Sequence, residues 1–278
     1  QMRHLRQNIR KLLARLDPEI RVEGSWDRVD VEVPDGRGLS GPALELLLRI
    51  PGISTIQEIG AFPFVSLEDV AEKAVEAFAD RLAGKTFAVR ARRHGEHSFR
   101  SIDLERTVGA ALMQASGASG VDLKSPQVEV RIEVQDDQFH IAHRKHRGLG
   151  GYPLGSVENV LTLISGGYDS SVAAYLMMRR GLRNHFLFFN LGGTAHEVGV
   201  RQVVHYLWDR YGASHSAKFI SVPFEGVVAE IMRSVSHRHW GVVLKRQMLM
   251  AAAEIARKNN SVGVVTGDAV AQVSSQTL

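Results

Sequence analysis

The sequence contains no cysteine among its 278 residues, which excludes disulfide bonds and thiolate metal sites from this chain. It also lacks any apolar run near the roughly 20 residues that a membrane helix needs. No secretory or transit segment is recognisable at its start, and internal repeats and low-complexity tracts are absent. We therefore expect a globular protein without a membrane partner.

The composition, with 44% hydrophobic and 23% charged residues, is typical of a soluble protein, and the length suffices for two or three domains. A net charge of +4 and a pI of about 9.5 favour a polyanionic partner. Basic clusters occur at residues 3–15, 90–94 and 143–147. One basic run is more often a solvated face, but three together favour RNA or DNA. The candidate RNA-binding residues are Arg90, Arg92, Arg93, Lys145 and Arg147.

The first sixty residues alternate short helical and strand patterns. Apolar residues recur at helical spacing over residues 5–16, and Asp17-Pro18 ends that helix. The patterns that follow predict strands over 20–22 and 29–33, a helix over 42–49 and a strand over 53–59. This order is a βαββαβ unit without its first strand, from which we infer a clipped or disordered N-terminus.

A second region follows Phe62-Pro63-Phe64, which we interpret as a boundary. Ser66 and Asp69 resemble a capping box at the start of an amphipathic helix. Asp136-Asp137 has the composition of a turn between two strands. The region reads as a small α+β domain with basic residues at strand ends and turns, with helices over 66–84 and 102–112 and strands over 86–92, 128–134 and 139–141.

Four glycines and one proline in residues 148–155 mark a linker. Beyond it, near-continuous apolar strands alternate with helices, which argues for a parallel, doubly wound sheet. Ligands of such sheets bind beyond the C-terminal strand ends, near a topological switch point. Small or polar residues follow three of the strand ends, at 165–167, 190–193 and 266–268.

The strand over 159–164 runs directly into Ser165-Gly166-Gly167-Tyr168-Asp169-Ser170, where a helix starts. Such a unit directs backbone N–H groups and the positive end of a helix dipole at one point, and its glycines admit an anion. The alternative interpretation, in which the loop binds no ligand, is an ordinary βα turn with Asp169 or Ser170 as the N-cap of the helix. The loop lacks the G-K-[ST] ending of a Walker A motif and the G-x-G-x-x-G pattern. Both γ-phosphoryl transfer and a dinucleotide site are therefore disfavoured.

The loop resembles the pyrophosphatase-type PP-loop of ATP-dependent enzymes that attack the α-phosphate and release pyrophosphate. This resemblance implies that the leaving pyrophosphate is held, usually with Mg²⁺, by Ser165, Gly166, Gly167, Asp169 and Ser170. Preorganised N–H donors and a metal ion suit the negative charge that builds on this leaving group.

Further short sequence segments match one family in the same order along the chain. They lie upstream of the loop at 85–87 and 101–106, and downstream at 188–193, 196–203, 241–246, 266–268 and 272–277. Together they resemble the tRNA 4-thiouridine synthetase family, also called the thiamine-biosynthesis tRNA sulfurtransferases. The resemblance implies a chain truncated at both ends. Its implied parts are a ferredoxin-like domain over 1–60, a THUMP RNA-binding domain over 61–147, a linker over 148–156 and an incomplete PP-loop domain over 157–278.

In that family, ATP adenylates the carbonyl oxygen of uridine 8 in tRNA, and a persulfide sulfur then displaces AMP. The resemblance therefore implies ATP and Mg²⁺ as cofactors, with tRNA and a cysteine desulfurase or another persulfide donor as partners. It also suggests a homodimer and a role in thiamine thiazole synthesis. The nucleotide contacts implied outside the loop are Leu163, Ile164, Phe188, Phe189, Lys245, Gly267 and Gln276.

Several single residues qualify this picture. Asp169 is implied to be catalytic or to organise Mg²⁺. A lone lysine early in a helix is normally solvated surface, and Lys245 is implied to contact the nucleotide only because it lies in the matched string at 241–246. Asp268 stands where the family commonly has Glu, and Ala271 where Gly is commoner. No metal-binding set of protein ligands is predicted, because the three regularly spaced histidines lie on a strand end and basic loop and are interpreted as RNA-facing or surface residues: His140, His143 and His146.

The lack of cysteine conflicts with the second half of that reaction, because a thiolate is the competent sulfur carrier. The chain as given is expected to bind ATP and tRNA without itself carrying persulfide. Two alternatives stay open: another PP-loop enzyme, such as a different tRNA thiolase or an amide-forming ligase, and a THUMP-type RNA-binding module with an idle nucleotide loop. The basic clusters argue against a ligase, and a THUMP methyltransferase is disfavoured because no glycine-rich methyl-donor loop is present.

Overall fold

The computed structural model describes residues 1–34 and 38–268. The chain divides into two compact units, of which unit 1 combines residues 1–54 with those from 147 onward and unit 2 comprises residues 55–146. Unit 1 is thus built from two separate stretches of sequence. The three-domain division at residues 60, 147 and 157 stays a prediction.

The first stretch of unit 1 holds two helices and two strands, α1 (Met2–Leu13), β1 (Arg21–Gly24), β2 (Val29–Glu32) and α2 (Gly41–Leu48). β1 and β2 pair antiparallel in a sheet of their own. The predicted helical spacing is confirmed, because Leu5, Ile9 and Leu13 are buried on one face of α1. Ser40 caps α2, since its hydroxyl accepts a hydrogen bond of 3.3 Å from the N–H of Ala43.

The basic residues of the first cluster contact backbone carbonyl groups within unit 1. Arg6 and Arg10 donate to the carbonyl groups of Gly24 and Val22 in β1, at 3.4 and 2.6 Å. Similar bonds join the second stretch of unit 1, from Lys11 to Ser214 at 2.7 Å and from Arg15 to Ala213 at 3.1 Å. Four of these cations thus satisfy carbonyl oxygens of the fold, and the interpretation of the three clusters together as directed at RNA or DNA stays a prediction.

Unit 2 packs two helices against a five-stranded sheet in the order β3-β7-β6-β4-β5. Phe78, Phe87, Leu104 and Phe139 are among the fully buried side chains of its core. The predicted cap is confirmed, because the Ser66 hydroxyl accepts from the N–H of Asp69 at 3.1 Å. The elements are β3 (Thr55–Pro63), α3 (Leu67–Leu82), β4 (Thr86–His94), α4 (Ser101–Ser116), β5 (Gly120–Val121), β6 (Val128–Gln135) and β7 (Gln138–Arg147).

The strand predicted at 53–59 lies in a different sheet from the one expected. It begins at Thr55, joins the unit 2 sheet beside β7 and continues through Phe62 and Pro63. The ring of Phe62 stacks on that of Phe139 with centroids 5.3 Å apart, which anchors the strand to the unit 2 core. The strand thus runs through residues 62–63, and the domain boundary interpreted at residues 62–64 stays a prediction. The two-residue β5 is an element that was not predicted.

The second stretch of unit 1 forms a four-stranded parallel sheet in the order β10-β9-β8-β11. This result confirms the predicted doubly wound sheet. Because β9 and β11 lie on opposite sides of β8, the chain leaves β8 in one direction and returns on the other, which creates a switch point. The elements are β8 (Asn159–Leu163), α5 (Tyr168–Arg179), β9 (Arg183–Asn190), α6 (Thr194–Leu207), β10 (Phe219–Pro223), α7 (Glu225–Ser234), α8 (Trp240–Lys258) and β11 (Val264–Val265).

Successive residues of β9 serve two hydrophobic layers, as the alternation of side chains along a strand requires. Phe186 and Phe188 pack with the α5 and α6 layer, whereas Leu187 and Phe189 pack with the α8 layer. Residues 208–212 extend α6 as a π-helical turn. Among the helices that the structure describes, none combines the length and apolarity needed to cross a membrane.

Asn8 offers a direct test of how the two stretches of unit 1 are joined. Its buried side-chain amide donates to the carbonyl oxygen of Leu154 at 2.9 Å. Asn8→Ala leaves that carbonyl without its partner, so we expect the free energy of unfolding to fall by about 1–3 kcal/mol, measured by urea denaturation. The control is Gln7→Ala on the exposed side of the same helix, with a change within about 0.5 kcal/mol. Equal effects of the two substitutions would contradict this assignment.

Candidate functional site

The loop that follows β8 is held together by the side chain of Ser170. Its hydroxyl donates to the carbonyl of Gly167 at 3.2 Å and accepts from the N–H of Ser165 at 3.3 Å. Ser170 is only 6% exposed, whereas residues 165–169 are exposed. Ser170 therefore shapes the loop from inside, and the remaining loop residues face solvent.

Helix α5 begins two or three residues earlier than expected, at Tyr168 with Gly167 as N-cap. The interpretation with Asp169 or Ser170 as N-cap is therefore wrong, because the Ser170 hydroxyl is engaged across the loop. Asp169 is the second residue of α5, in an exposed position where the helix dipole favours negative charge.

The backbone of Gly166 needs a residue without a side chain. Its φ is +83°, and a Cβ at this position would lie 3.1 Å from Cγ2 of Val200 on α6. Both the left-handed conformation and the close approach of α6 favour glycine. The loop thus lies between the N-terminal ends of α5 and α6, two places where backbone N–H groups lack helical partners.

The segment after β11 meets the same loop across the switch point. A Cβ on Gly267 would lie 2.3 Å from the backbone nitrogen of Ser170 and 2.4 Å from its Cα. Next along the chain, Asp268 accepts a hydrogen bond of 3.1 Å from Nζ of Lys245 on α8. That bond, followed by one from Thr266, holds the pKa of Asp268 below its ordinary value. The structure therefore brings Gly267, Asp268 and Lys245 together beside the loop.

The apolar residues predicted to border the nucleotide are divided between two faces of the sheet. Ile164 and Phe188 belong to the α5 and α6 layer, and Leu163 and Phe189 pack with the α8 layer. Phe188 and Phe189 are 4% and 8% exposed, so their rings are largely used by the core. What these four residues share is a position near the C-terminal ends of β8 and β9. Gln276 lies outside the described residues.

Glu197, on the first turn of α6, was not among the predicted site residues. Its carboxylate accepts from Ser221 at 2.8 Å, Asn190 at 3.2 Å and Arg201 at 2.7 Å. These bonds, led by that from Ser221, lower the pKa of Glu197. A polar residue at the end of an apolar strand, as at Asn190, was the signal available in the sequence. Glu197 connects α6 to the ends of β9 and β10.

The predicted RNA-binding residues fall into two groups. Arg90 pairs with Glu129 at 3.4 Å, and Arg93 donates to the carbonyl of His97 at 3.0 Å. Arg92, Lys145 and Arg147 have exposed side chains. The last three present their charge to solvent, whereas Arg90 and Arg93 already serve contacts within unit 2.

Two of the three spaced histidines make contacts within unit 2, which corrects their interpretation as RNA-facing or plain surface residues. Nε2 of His146 lies 2.5 Å from a carboxylate oxygen of Glu58. His143 meets the ring of Phe62 edge-on, and burial lowers its pKa. Within residues 1–34 and 38–268, no group of three or more His, Asp or Glu side chains has the arrangement of a metal site.

Comparison with family models places both halves of the chain. Residues 64–144 match the model of the THUMP domain, and residues 155–278 match that of the thiamine biosynthesis protein ThiI. The loop after β8 and the residues beside it, Lys245, Gly267 and Asp268, lie within the second match.

Curated relatives match along the whole chain. A tRNA sulfurtransferase of Marinobacter nauticus is 81% identical over 278 residues, and one of Pseudomonas aeruginosa is 52% identical over 279. Each comparison covers 100% of this chain, and the chain spans 57% of the length of these relatives.

A solved structure shares the fold. The crystal structure of a 4-thiouridine synthetase–RNA complex with bound ATP superposes with a TM-score of 0.83 at 23% identity, covering 100% of this chain and 71% of that chain. The chain therefore combines a segment that matches the THUMP domain with a segment that matches the thiamine biosynthesis protein ThiI, on a fold shared with this solved structure.

Proposed function

We propose that these residues are the ATP-activating and RNA-binding part of a tRNA uracil 4-sulfurtransferase. In this reaction ATP adenylates the 4-oxygen of uridine 8, pyrophosphate leaves, and a persulfide sulfur then displaces AMP. The observation that carries the proposal is the contact of Gly267 with Ser170, because it unites the loop after β8 with the segment after β11 at the switch point. The names of the curated relatives and the ATP of the solved relative support the same activity.

The loop supplies hydrogen-bond donors for the phosphates. The N–H of Gly166 and those of the first turn of α5 belong to an exposed stretch of backbone, which suits an anion. Lys245 brings a cation to the same edge, held in place by Asp268 at 3.1 Å. Fixed N–H groups and a cation stabilise the negative charge that develops on pyrophosphate as it leaves. The site thereby favours attack at the α-phosphate over transfer of the γ-phosphoryl group.

In this proposal Mg²⁺ binds together with the nucleotide and not to the protein alone. Mg²⁺ on a nucleotide is commonly held by one or two carboxylates together with phosphate oxygens. The exposed carboxylate of Asp169 beside the loop fits such a role. Bound there with ATP, the ion supplies charge neutralisation for the phosphates, while the residues of the loop orient them.

The sulfur must come from a thiol outside these 278 residues, because they contain no cysteine. A cysteine desulfurase or another persulfide donor fits this requirement. A homodimer, a cytoplasmic location and a role in thiamine thiazole synthesis complete the proposal by analogy with the family. The tRNA is bound through the exposed cations of the second and third basic clusters.

Asp169 tests the enzymatic part of the proposal. We expect Asp169→Asn to lower the rate of pyrophosphate release from ATP in the presence of unmodified tRNA by roughly a hundredfold, since it removes a charge beside the leaving group. Asp209→Asn, an exposed carboxylate at the far end of α6, is the matched control and should keep the wild-type rate. If wild-type protein releases no pyrophosphate while still binding tRNA, the alternative of an RNA-binding module with an idle loop is favoured.

Gly267 tests the geometry of the cradle. Gly267→Ala places a methyl group 2.3 Å from the backbone nitrogen of Ser170, so the loop must shift and we expect the dissociation constant for MgATP to rise at least about tenfold. Isothermal titration calorimetry measures this constant directly. Gly263→Ala is the control, because a Cβ at that position has nothing within 4 Å. Unchanged MgATP binding in Gly267→Ala would show that the nucleotide does not use this loop.

Arg92 and Lys145 test the RNA-binding part of the proposal. Replacing both with alanine removes two exposed cations of unit 2, so we expect weaker tRNA binding and a salt dependence lowered by up to about one unit of slope for each lost phosphate contact. Fluorescence anisotropy at several salt concentrations measures both quantities. The control is Arg257→Ala on α8, where the cation pairs with Glu254. An unchanged salt slope in the double variant would remove this surface from the RNA interface.

A further inference from the structure

His196 connects α6 to the nucleotide loop, although the proposed function gives it no role. It is the third residue of α6, and its ring lies flat on that of Phe188, with centroids 5.4 Å apart and an interplanar angle of 10°. Its Nε2 lies 3.3 Å from the carbonyl oxygen of Ser165. Because a carbonyl oxygen only accepts hydrogen bonds, Nε2 carries the proton and donates it.

A bond to the Ser165 carbonyl also orients the next N–H group. In a trans peptide the C=O of one residue and the N–H of the next point in opposite directions within one plane. Holding the Ser165 oxygen toward α6 therefore directs the N–H of Gly166 away from α6. Gly166, with φ at +83° and no Cβ, imposes little preference of its own on this peptide plane. The contact with His196 constrains this plane from outside the loop.

The turn that bears His196 is itself fixed. Glu197, the next residue, accepts hydrogen bonds from Ser221 at 2.8 Å and from Asn190 at 3.2 Å. One turn further on, Val200 is buried against the position above Gly166. The imidazole is therefore held by a stacked ring below and by an anchored helix behind. Its donor is aimed at one carbonyl oxygen before any nucleotide arrives.

We propose that His196 is a positioning residue for the nucleotide loop. Its hydrogen bond fixes the Ser165–Gly166 peptide so that the N–H of Gly166 is preoriented toward a phosphate of the bound nucleotide. This role rests on the proposed function, because it presupposes that the loop binds MgATP. His196 acts through the peptide plane and makes no contact with the reacting atoms.

The test is MgATP binding by isothermal titration calorimetry, with the melting temperature without nucleotide recorded for every variant. We expect His196→Ala to raise the dissociation constant about five- to tenfold, in line with the loss of one preorganised hydrogen bond, with little change in that melting temperature. His196→Gln, whose amide nitrogen takes the place of Nε2, is expected to bind within about twofold of the wild type. In steady-state pyrophosphate release, the KM for ATP should rise in His196→Ala while the KM for tRNA stays unchanged.

His205→Ala is the matched control, since His205 is an exposed histidine on the same helix, and it should bind MgATP as the wild type does. Wild-type binding in His196→Ala would overturn the proposal, as would a His196→Gln variant as weak as His196→Ala, because the donor would then not be the feature that matters. Failure of the wild-type protein to bind MgATP would instead reject the proposed function itself. The two results are therefore distinguishable.

Discussion

The approach of Gly267 to the backbone of Ser170 constrains the whole candidate site. The segment after β8 and the segment after the neighbouring strand β11 meet there with no space for a methyl group. The contact sets how far β11 extends, where Asp268 meets Lys245, and how the loop enters α5. A doubly wound sheet creates a crevice at its switch point by topology alone, but the depth of this crevice depends on a residue without a side chain.

A second layer of order comes from polar contacts at the C-terminal strand ends. Glu197 gathers donors from β9, β10 and its own helix, so α6 is fixed at the end that faces the loop. In the core beneath these strand ends, Phe188 packs in the layer that contains α6, and Phe189 packs in the layer that contains α8. Apolar packing thus determines where the strands lie, and a few charge-assisted hydrogen bonds determine how their ends are arranged.

Periodicity in the sequence predicted most of the elements, because buried faces repeat every two or 3.6 residues. It gave the parallel sheet and the loop after β8 correctly. It failed where the deciding partner is distant in sequence. The strand at 55–63 pairs with β7 rather than with its neighbours, and Lys11 and Arg15 reach carbonyl groups about 200 residues away. Local pattern does not reveal such partners. His196 and Glu197 were visible as residues, but their roles depend on side-chain geometry at the ends of β8, β9 and β10.

The two separate stretches of unit 1 have a consequence for synthesis on the ribosome. α1 finds its buried partner Leu154 only after all of unit 2 has been made, since Asn8 and Leu154 are 146 positions apart. At roughly 5–20 residues per second, the delay while unit 2 is translated is on the order of 5–20 seconds. During that interval the apolar stripe of α1 lacks its final cover, and unit 2 has time to fold first. The connectivity of unit 1 thus requires its first stretch to wait for its second, whereas unit 2 is translated without interruption.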